Sequence, residues 1–461
     1  MKKQICRLSA LTLTVMMVGS LTGCAGSWGT KEAAKTQAAG TQAAGDQASG
    51  KAPGTEAKTA DPITITLWHS RGAGAQLAEM QRVVDAFNET NDKGITVTEE
   101  YVGNNNEVYS KLATAIAAGD NCQIALLGFT TVGELAAEGV LADIKPYALR
   151  DGFDLDNLLP CFNPGLFYED QMVAMPYIRS ASVLYYNKDM FQEVGCEEIP
   201  ADIQEYTEIL RAIRDKTGKA GVSFFAQMDF IQGAWIKSIN QIGDISEDGL
   251  TPVSFEDGSM KEVMDWWLAG VKEGTIMKYT STDASNNILS AFYSGELASV
   301  PSSCGNMATI FKNCKETGVN VGVTQIPGFR GKATSSTGGS NMVIVGANNS
   351  EEQIEASWEF LQFLLSDEQM IQNSINTGYV PVTYSAGENK DMQAFWAENE
   401  NYKYAYDTLE VALETYPSPY LAAWQGTMKN MYDNVILDES MTVEEGMEYL
   451  KGMEGTIFPG K

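Results

Sequence analysis

The chain has 461 residues and a single histidine, His69. Histidine-rich zinc centres are therefore excluded, and histidine-based catalysis has one candidate only. Cysteine is scarce as well: seven residues with no Cys-x-x-Cys pair and no spacing that implies a disulfide framework. Positive charge is in deficit, with 32 Lys and Arg against 60 Asp and Glu and a net charge of −28. A chain so acidic repels a phosphate backbone at range, which argues against a nucleic-acid partner. No long apolar run follows Leu21, so nothing beyond the N-terminus is expected to span a bilayer. The remaining composition, 44% hydrophobic and 10% aromatic, is that of a globular protein. Its length suits two lobes better than one core.

Residues 1–23 carry Lys2, Lys3 and Arg7 ahead of an apolar run from Leu8 to Leu21, the order of a secretory signal. The ending Leu21-Thr22-Gly23-Cys24 looks like a bacterial lipobox, in which Cys24 becomes the lipidated N-terminus. Cutting there removes three positive charges and takes the net charge from −28 to −31. It leaves Cys122, Cys161, Cys196, Cys304 and Cys314, an odd number of thiols. Ala25 to Ala60 is an Ala/Gly/Thr/Gln/Lys-rich stretch with Thr-Gln-Ala-Ala-Gly twice in tandem, and it cannot bury a core. Residues 24–60 thus read as a lipidated cysteine and a flexible tether, with a reach of about 35 Å.

The body opens with Ile63–Trp68, which alternates as a strand, followed by a helical pattern over Ala75–Asn88. Ile95–Tyr101 and Ile124–Phe129 read as further strands, with a helix between them over Val108–Ala118. Strands alternating with helices of this length predict a mostly parallel sheet, whose ligands sit beyond the strands' carboxyl ends. His69–Arg71, Asn104–Asn106 and Thr130-Thr131 follow three such ends. Further on, Val183–Tyr186 reads as a strand, and Asn187-Lys188-Asp189 opens a helix. Pro176 belongs at a strand entry or edge, so Pro176–Ser180 is either an edge turn or a crossing between lobes. Tyr379-Val380-Pro381-Val382 is a second proline-marked extended stretch. It follows a long helix that a Ser350/Gln353 capping box opens and Gly378 caps. Residues Pro327–Ser340 read as a glycine-rich loop, and Trp235 as lying beyond a loop.

Five short pieces carry a family likeness in order: Leu67-Trp68-His69-Ser70, Val183–Asp189, Ala291-Phe292-Tyr293-Ser294-Gly295, Gly338-Gly339-Ser340 and Thr377–Val382. With the lipobox, the chain resembles the family-one extracellular solute-binding proteins of ABC sugar importers, nearest the glycerol-3-phosphate-binding branch. The resemblance implies an α/β, two-lobed periplasmic-binding-protein fold of type II, with a ligand cleft between lobes joined by hinge crossings. It implies residues 61–177 with 339–380 in one lobe, and 178–338 with 381–461 in the other. From that branch, ligand roles carry over to Ser180, Ser303, Gly339 and Tyr379. Three positions depart: Asn105 replaces a tyrosine, Thr130-Thr131 a glutamate, and a binding arginine would fall near Gly426. Without that bidentate phosphate partner, a neutral sugar or oligosaccharide is expected rather than glycerol 3-phosphate or a related phosphodiester.

A sugar site needs hydrogen-bonding side chains and aromatic faces. Trp235, Trp424, Tyr177 and Tyr379 are the stacking candidates. His69, Arg71, Asn105, Thr131, Arg179, Ser180, Ser303 and Gly339 are the polar ones. Trp424 also heads an i, i+4, i+7, i+8 stripe with Met428, Met431 and Tyr432, which suits a core equally well. The expected protein is therefore a monomeric lipoprotein on the outer face of the cell membrane, without cofactor, metal or catalysis, that delivers sugar to a permease. A surface-anchored glycoside hydrolase is the rival enzyme reading. It would need paired carboxylates, and none ends the first strands. A scaffold or adhesion lipoprotein would have no small-molecule cleft.

Overall fold

The computed structural model describes residues 62–224, 232–279, 284–413 and 416–459. The signal sequence, Cys24 and the tether lie outside the described residues. Twelve strands occur among those described: β1 (Ile63–His69), β2 (Ile95–Tyr101), β3 (Ile124–Gly128), β4 (Phe167–Tyr168), β5 (Gln171–Met172) and β6 (Met175–Asn187), then β7 (Ala220–Ser223), β8 (Ile276–Met277), β9 (Leu297–Ser303), β10 (Val321–Thr324), β11 (Ser335–Ile344) and β12 (Ala412–Leu413). Strands β4 and β5 pair with each other; the rest form one sheet ordered β2-β1-β3-β11-β6-β9-β7-β8, with β10 added to β6 and β12 to β11.

The expected parallel sheet holds for β1, β2 and β3, and again for β9, β7 and β8. The centre is antiparallel, which the helix–strand alternation did not suggest. Strand β6 explains why. Its first half, Met175–Ala181, pairs with β11, while Ser182–Asn187 pairs with β9 and β10. One uninterrupted 13-residue strand thus ties the two parallel groups together. Pro176 sits at its entry, opposite a register shift between Ser340 and Asn341. The missing N–H is tolerated there because the ladder is already irregular. Val380 bridges Arg179 through a 3.0 Å backbone bond, so the second proline-marked stretch lies beside the first.

Other local expectations shift for identifiable reasons. The long helix after Ser350 is two helices, Glu351–Leu364 and Asp367–Thr377. Ser366-Asp367-Glu368 supplies a fresh N-terminus, with its acidic first turn on the favourable end of the dipole. The Ser350/Gln353 capping box forms, and Gly378 caps the second helix at φ 87°. The loop expected over Pro327–Ser340 contains the start of β11 instead. Trp235 lies within the helix Gly233–Asn240.

The helix Gly74–Thr90 buries Met80, Val83, Val84 and Phe87 in one cluster with Ile65, Leu67, Ile95 and Val97. A second cluster gathers Trp235, Trp267, Trp424, Met428 and Phe458. Each such side chain contributes about 1.5–3 kcal/mol of burial. Cys122, Cys196, Cys304 and Cys314 are buried thiols outside any disulfide. No helix among the described residues is long and apolar enough to cross a membrane.

Candidate binding cleft

The two crossing strands form the floor of a cavity of about 840 Å³. Ser180 of β6 is paired with Gly338 of β11, and both line it together with Gly339. Gly339 has φ 106°, and a Cβ there would lie 1.9 Å from the Ile178 carbonyl oxygen, so only glycine fits. One side is built from strand ends and helix starts: Arg71 after β1, Asn104–Asn106 after β2, and Gly128–Thr131 where β3 passes into the helix Phe129–Ala137. Gln76 and Tyr379 complete that side. Ser303 and Asn306 line the cleft from the end of β9, and Ala422, Gln425, Gly426 and Lys429 from the helix Leu421–Tyr432.

A hydrogen-bonded clamp organises the first side. Arg71 donates through Nη1 to the Tyr379 hydroxyl at 2.8 Å and to Gln76 Oε1 at 3.0 Å, and through Nη2 to Ser340 Oγ at 3.1 Å. Its guanidinium also lies 5.7 Å from the Tyr379 ring centroid. Asn105 Oδ1 accepts from the Ser70 hydroxyl at 2.5 Å, and Thr131 Oγ1 donates to the Gly128 carbonyl at 3.0 Å. Ser303 Oγ accepts from Gly305 N–H, which fixes the turn that ends β9. Among the described residues, the lining is dominated by amides and hydroxyls, carries Arg71 and Lys429, and includes no carboxylate.

Arg71, Asn105, Thr131, Ser180, Ser303, Gly339 and Tyr379 meet in this cavity; the other five candidates do not line it. His69 is fully buried, with Nε2 2.6 Å from Glu99 Oε2 and Nδ1 accepting from the Arg71 backbone N–H. Burial pushes its pKa down against the opposing pull of Glu99. It holds the strand end that carries Arg71 and offers no face to the cleft. Arg179 is buried beneath the floor, donating to Asn341 Oδ1 at 2.9 Å with its guanidinium over the Phe162 and Phe129 rings. Tyr177 is buried in the first cluster, and burial raises its phenol pKa. Alternation along β6 turns Tyr177 and Arg179 away from the face that Ser180 presents.

Trp235 and Trp424 correct the expectation of stacking platforms. Both are core residues; Trp235 Nε1 donates to the Pro327 carbonyl at 2.9 Å, and Trp424 packs on Phe255 and Phe458. On the helix Leu421–Tyr432 the cleft-facing residues are Ala422, Gln425, Gly426 and Lys429, an i, i+3, i+4, i+7 set beside the Trp424 stripe. That second stripe is a signal the sequence carried. The larger aromatic stripe beside it masks it.

The model of the bacterial extracellular solute-binding protein family matches residues 82–403. The chain belongs to that family. Among curated members it is similar to the sn-glycerol-3-phosphate-binding periplasmic protein UgpB of Brucella melitensis, 27% identical over 351 residues, 72% of this chain and 77% of that one. UgpB of Pectobacterium atrosepticum is 25% identical over 361 residues, 75% of this chain and 78% of that one. Solved structures share the fold. The GacH receptor of Streptomyces glaucescens superposes with a TM-score of 0.74 at 20% identity, covering 87% of this chain and 99% of its own. UgpB of Mycobacterium tuberculosis, solved with glycerophosphocholine, gives 0.74 at 19% identity, covering 86% and 98%. The architecture is thus the two-lobed type II fold of extracellular solute-binding proteins. The chain is an extracellular solute-binding protein by family.

Proposed function

We propose that the protein is lipid-anchored through Cys24 on the outer face of the cell membrane. There it captures a sugar or oligosaccharide between its lobes and presents the closed form to a permease. The observation that carries the sugar reading is the cleft: about 840 Å³ lined mainly by amide and hydroxyl side chains, with the Tyr379 ring at its edge. That is far more room than a three-carbon phosphate ester needs, and such side chains match the alternating donors and acceptors of sugar hydroxyls. The GacH receptor, solved with acarbose, is a neighbour of the same fold that takes a carbohydrate.

The lobes of this reading are residues 61–177 with 339–380, and 178–338 with 381–461, with Pro176–Ser180 and Tyr379–Pro381 as paired crossings. Ligand that touches both sides only when they approach shifts the population toward closure. Calorimetry of the mature chain against a panel of mono- and oligosaccharides tests the proposal, with native mass spectrometry of co-purified ligand as a parallel measure. A saturable sugar titration is expected. Binding of glycerol phosphates with no response to any saccharide would overturn it.

Glycerol 3-phosphate is the second reading, favoured by a specific observation. The residues that carry over from that branch, Ser180, Ser303, Gly339 and Tyr379, all line the one cavity. Against it stands Gly426, which also lines the cavity, near where the resemblance would put that branch's arginine.

A further inference from the structure

The charge inside the cleft is opposite in sign to that of the molecule. The chain carries 60 acidic residues against 32 basic ones, yet the described lining of the cleft holds Arg71 and Lys429 and no carboxylate. Arg71 is buried, and its hydrogen-bond partners, the Tyr379 hydroxyl, Gln76 and Ser340, are all neutral. Its Nε is buried without a partner. A guanidinium desolvated among neutral groups is held at an electrostatic cost that an anion at the site would relieve.

Two helix starts reinforce the same sign. The helix Phe129–Ala137 begins in the cleft with no side-chain cap and no acidic residue in its first turn, and Gly128–Thr131 line the cavity. The helix Leu421–Tyr432 likewise has no side-chain cap and no acidic first turn, and Ala422 faces the cleft. Each presents the positive end of a helix dipole, although the Leu421 N–H is taken by the Ser418 carbonyl. Nearby acids hold other partners, and one of them offsets a cleft cation. Glu107 caps the helix Asn105–Ala118 by accepting from Asn104 N–H, and Asp433 pairs with the exposed Lys429 at 2.6 Å.

We propose that the saccharide this cleft takes is acidic, carrying a carboxylate or sulfate that sits against Arg71 and the first turn of the helix Phe129–Ala137. The inference rests on the saccharide reading above and narrows it to anionic sugars, against the neutral ligand that the sequence suggests. The amides of Asn104–Asn106 and Gln425 then serve the hydroxyls. Lys429, paired with Asp433, adds little net charge from the other side, and its loss would leave that carboxylate beside the cleft.

Matched pairs test it by calorimetry on the mature chain: glucose with glucuronate, galactose with galacturonate, and N-acetylgalactosamine with its sulfate ester, with glycerol 3-phosphate alongside. A charge-assisted contact predicts that at least one acidic member binds about tenfold or more tightly than its neutral partner. Raising salt should weaken the acidic member selectively. Arg71→Gln should collapse the preference; should that variant misfold, Lys429→Gln, on an exposed side chain, should reduce it, and the wild-type salt dependence stands independently. Neutral members binding as tightly as their acidic partners would overturn the inference and leave the saccharide reading intact. Binding of glycerol 3-phosphate alone, or of no probe, would overturn both.

Discussion

Gly339, Tyr379 and Gly426 are where single atoms decide the cleft. A methyl at Gly339 would meet the Ile178 carbonyl at 1.9 Å on a backbone with φ 106°. Gly339→Ala should therefore destabilise by roughly 2–4 kcal/mol, read as a lowered denaturation midpoint. Tyr379→Phe removes the oxygen that accepts from Arg71 at 2.8 Å and from Gln76 at 3.2 Å. Removing this shared acceptor from buried Arg71 and half-buried Gln76 should cost about 1–3 kcal/mol, with weakened ligand binding in the same variant. Gly426 is the converse case, since nothing lies within 4 Å of a Cβ built there. Gly426→Arg should fold normally and raise affinity for glycerol 3-phosphate measured by calorimetry. Unchanged affinity would argue that this helix face does not approach the ligand.

The helix Leu421–Tyr432 separates packing from binding along one element. Trp424→Ala empties a fully buried site and should cost about 3–5 kcal/mol in stability. Gln425→Ala, one residue on and facing the cleft, should leave the denaturation midpoint nearly unchanged and weaken binding. Strand β1 and its end give a pH prediction. The fold holds His69 neutral by burial, with Nδ1 accepting from Arg71 N–H, while the unfolded chain protonates near the ordinary 6.5. The unfolded state thus binds more protons below that pH, so stability should fall on acidification through about 6.5. Urea midpoints at about pH 7.5 and about pH 5.5 should differ more in the wild type than in His69→Asn, since no other histidine titrates.

At the scale of the whole molecule, the proposed closure would have to deform a sheet rather than a loop, because β6 is paired along its length. Ser180 is paired with Gly338, and the Ala181 N–H reaches Cys304 Sγ at 3.4 Å. Closure would then twist two paired strands, and small-angle scattering should record a smaller radius of gyration on adding a bound sugar. The proposed lipid anchor has its own test. Cys24→Ser should move the protein from the membrane fraction to the medium, and loss of palmitate labelling should accompany the shift.

The linear order of residues determined the kind of molecule. Alternation in Ile63–His69 and Ile95–Tyr101, the capping box at Ser350 and the glycine at 378 are local signals, and local structure obeys them. The polar strand ends at Arg71, Asn105 and Thr131 were legible for the same reason, because a βα turn places them on one rim. What only the tertiary structure decided was the direction in which side chains face once two lobes share a sheet. Tyr177, Arg179, Trp235 and Trp424 have the chemistry of a sugar site. Strand alternation and helix rotation turn all four into the interior, and Gln425, Gly426 and Lys429 take the cleft face instead. Burial depends on neighbours distant in sequence, such as Phe458 against Trp424, and no periodicity within a single segment encodes that contact.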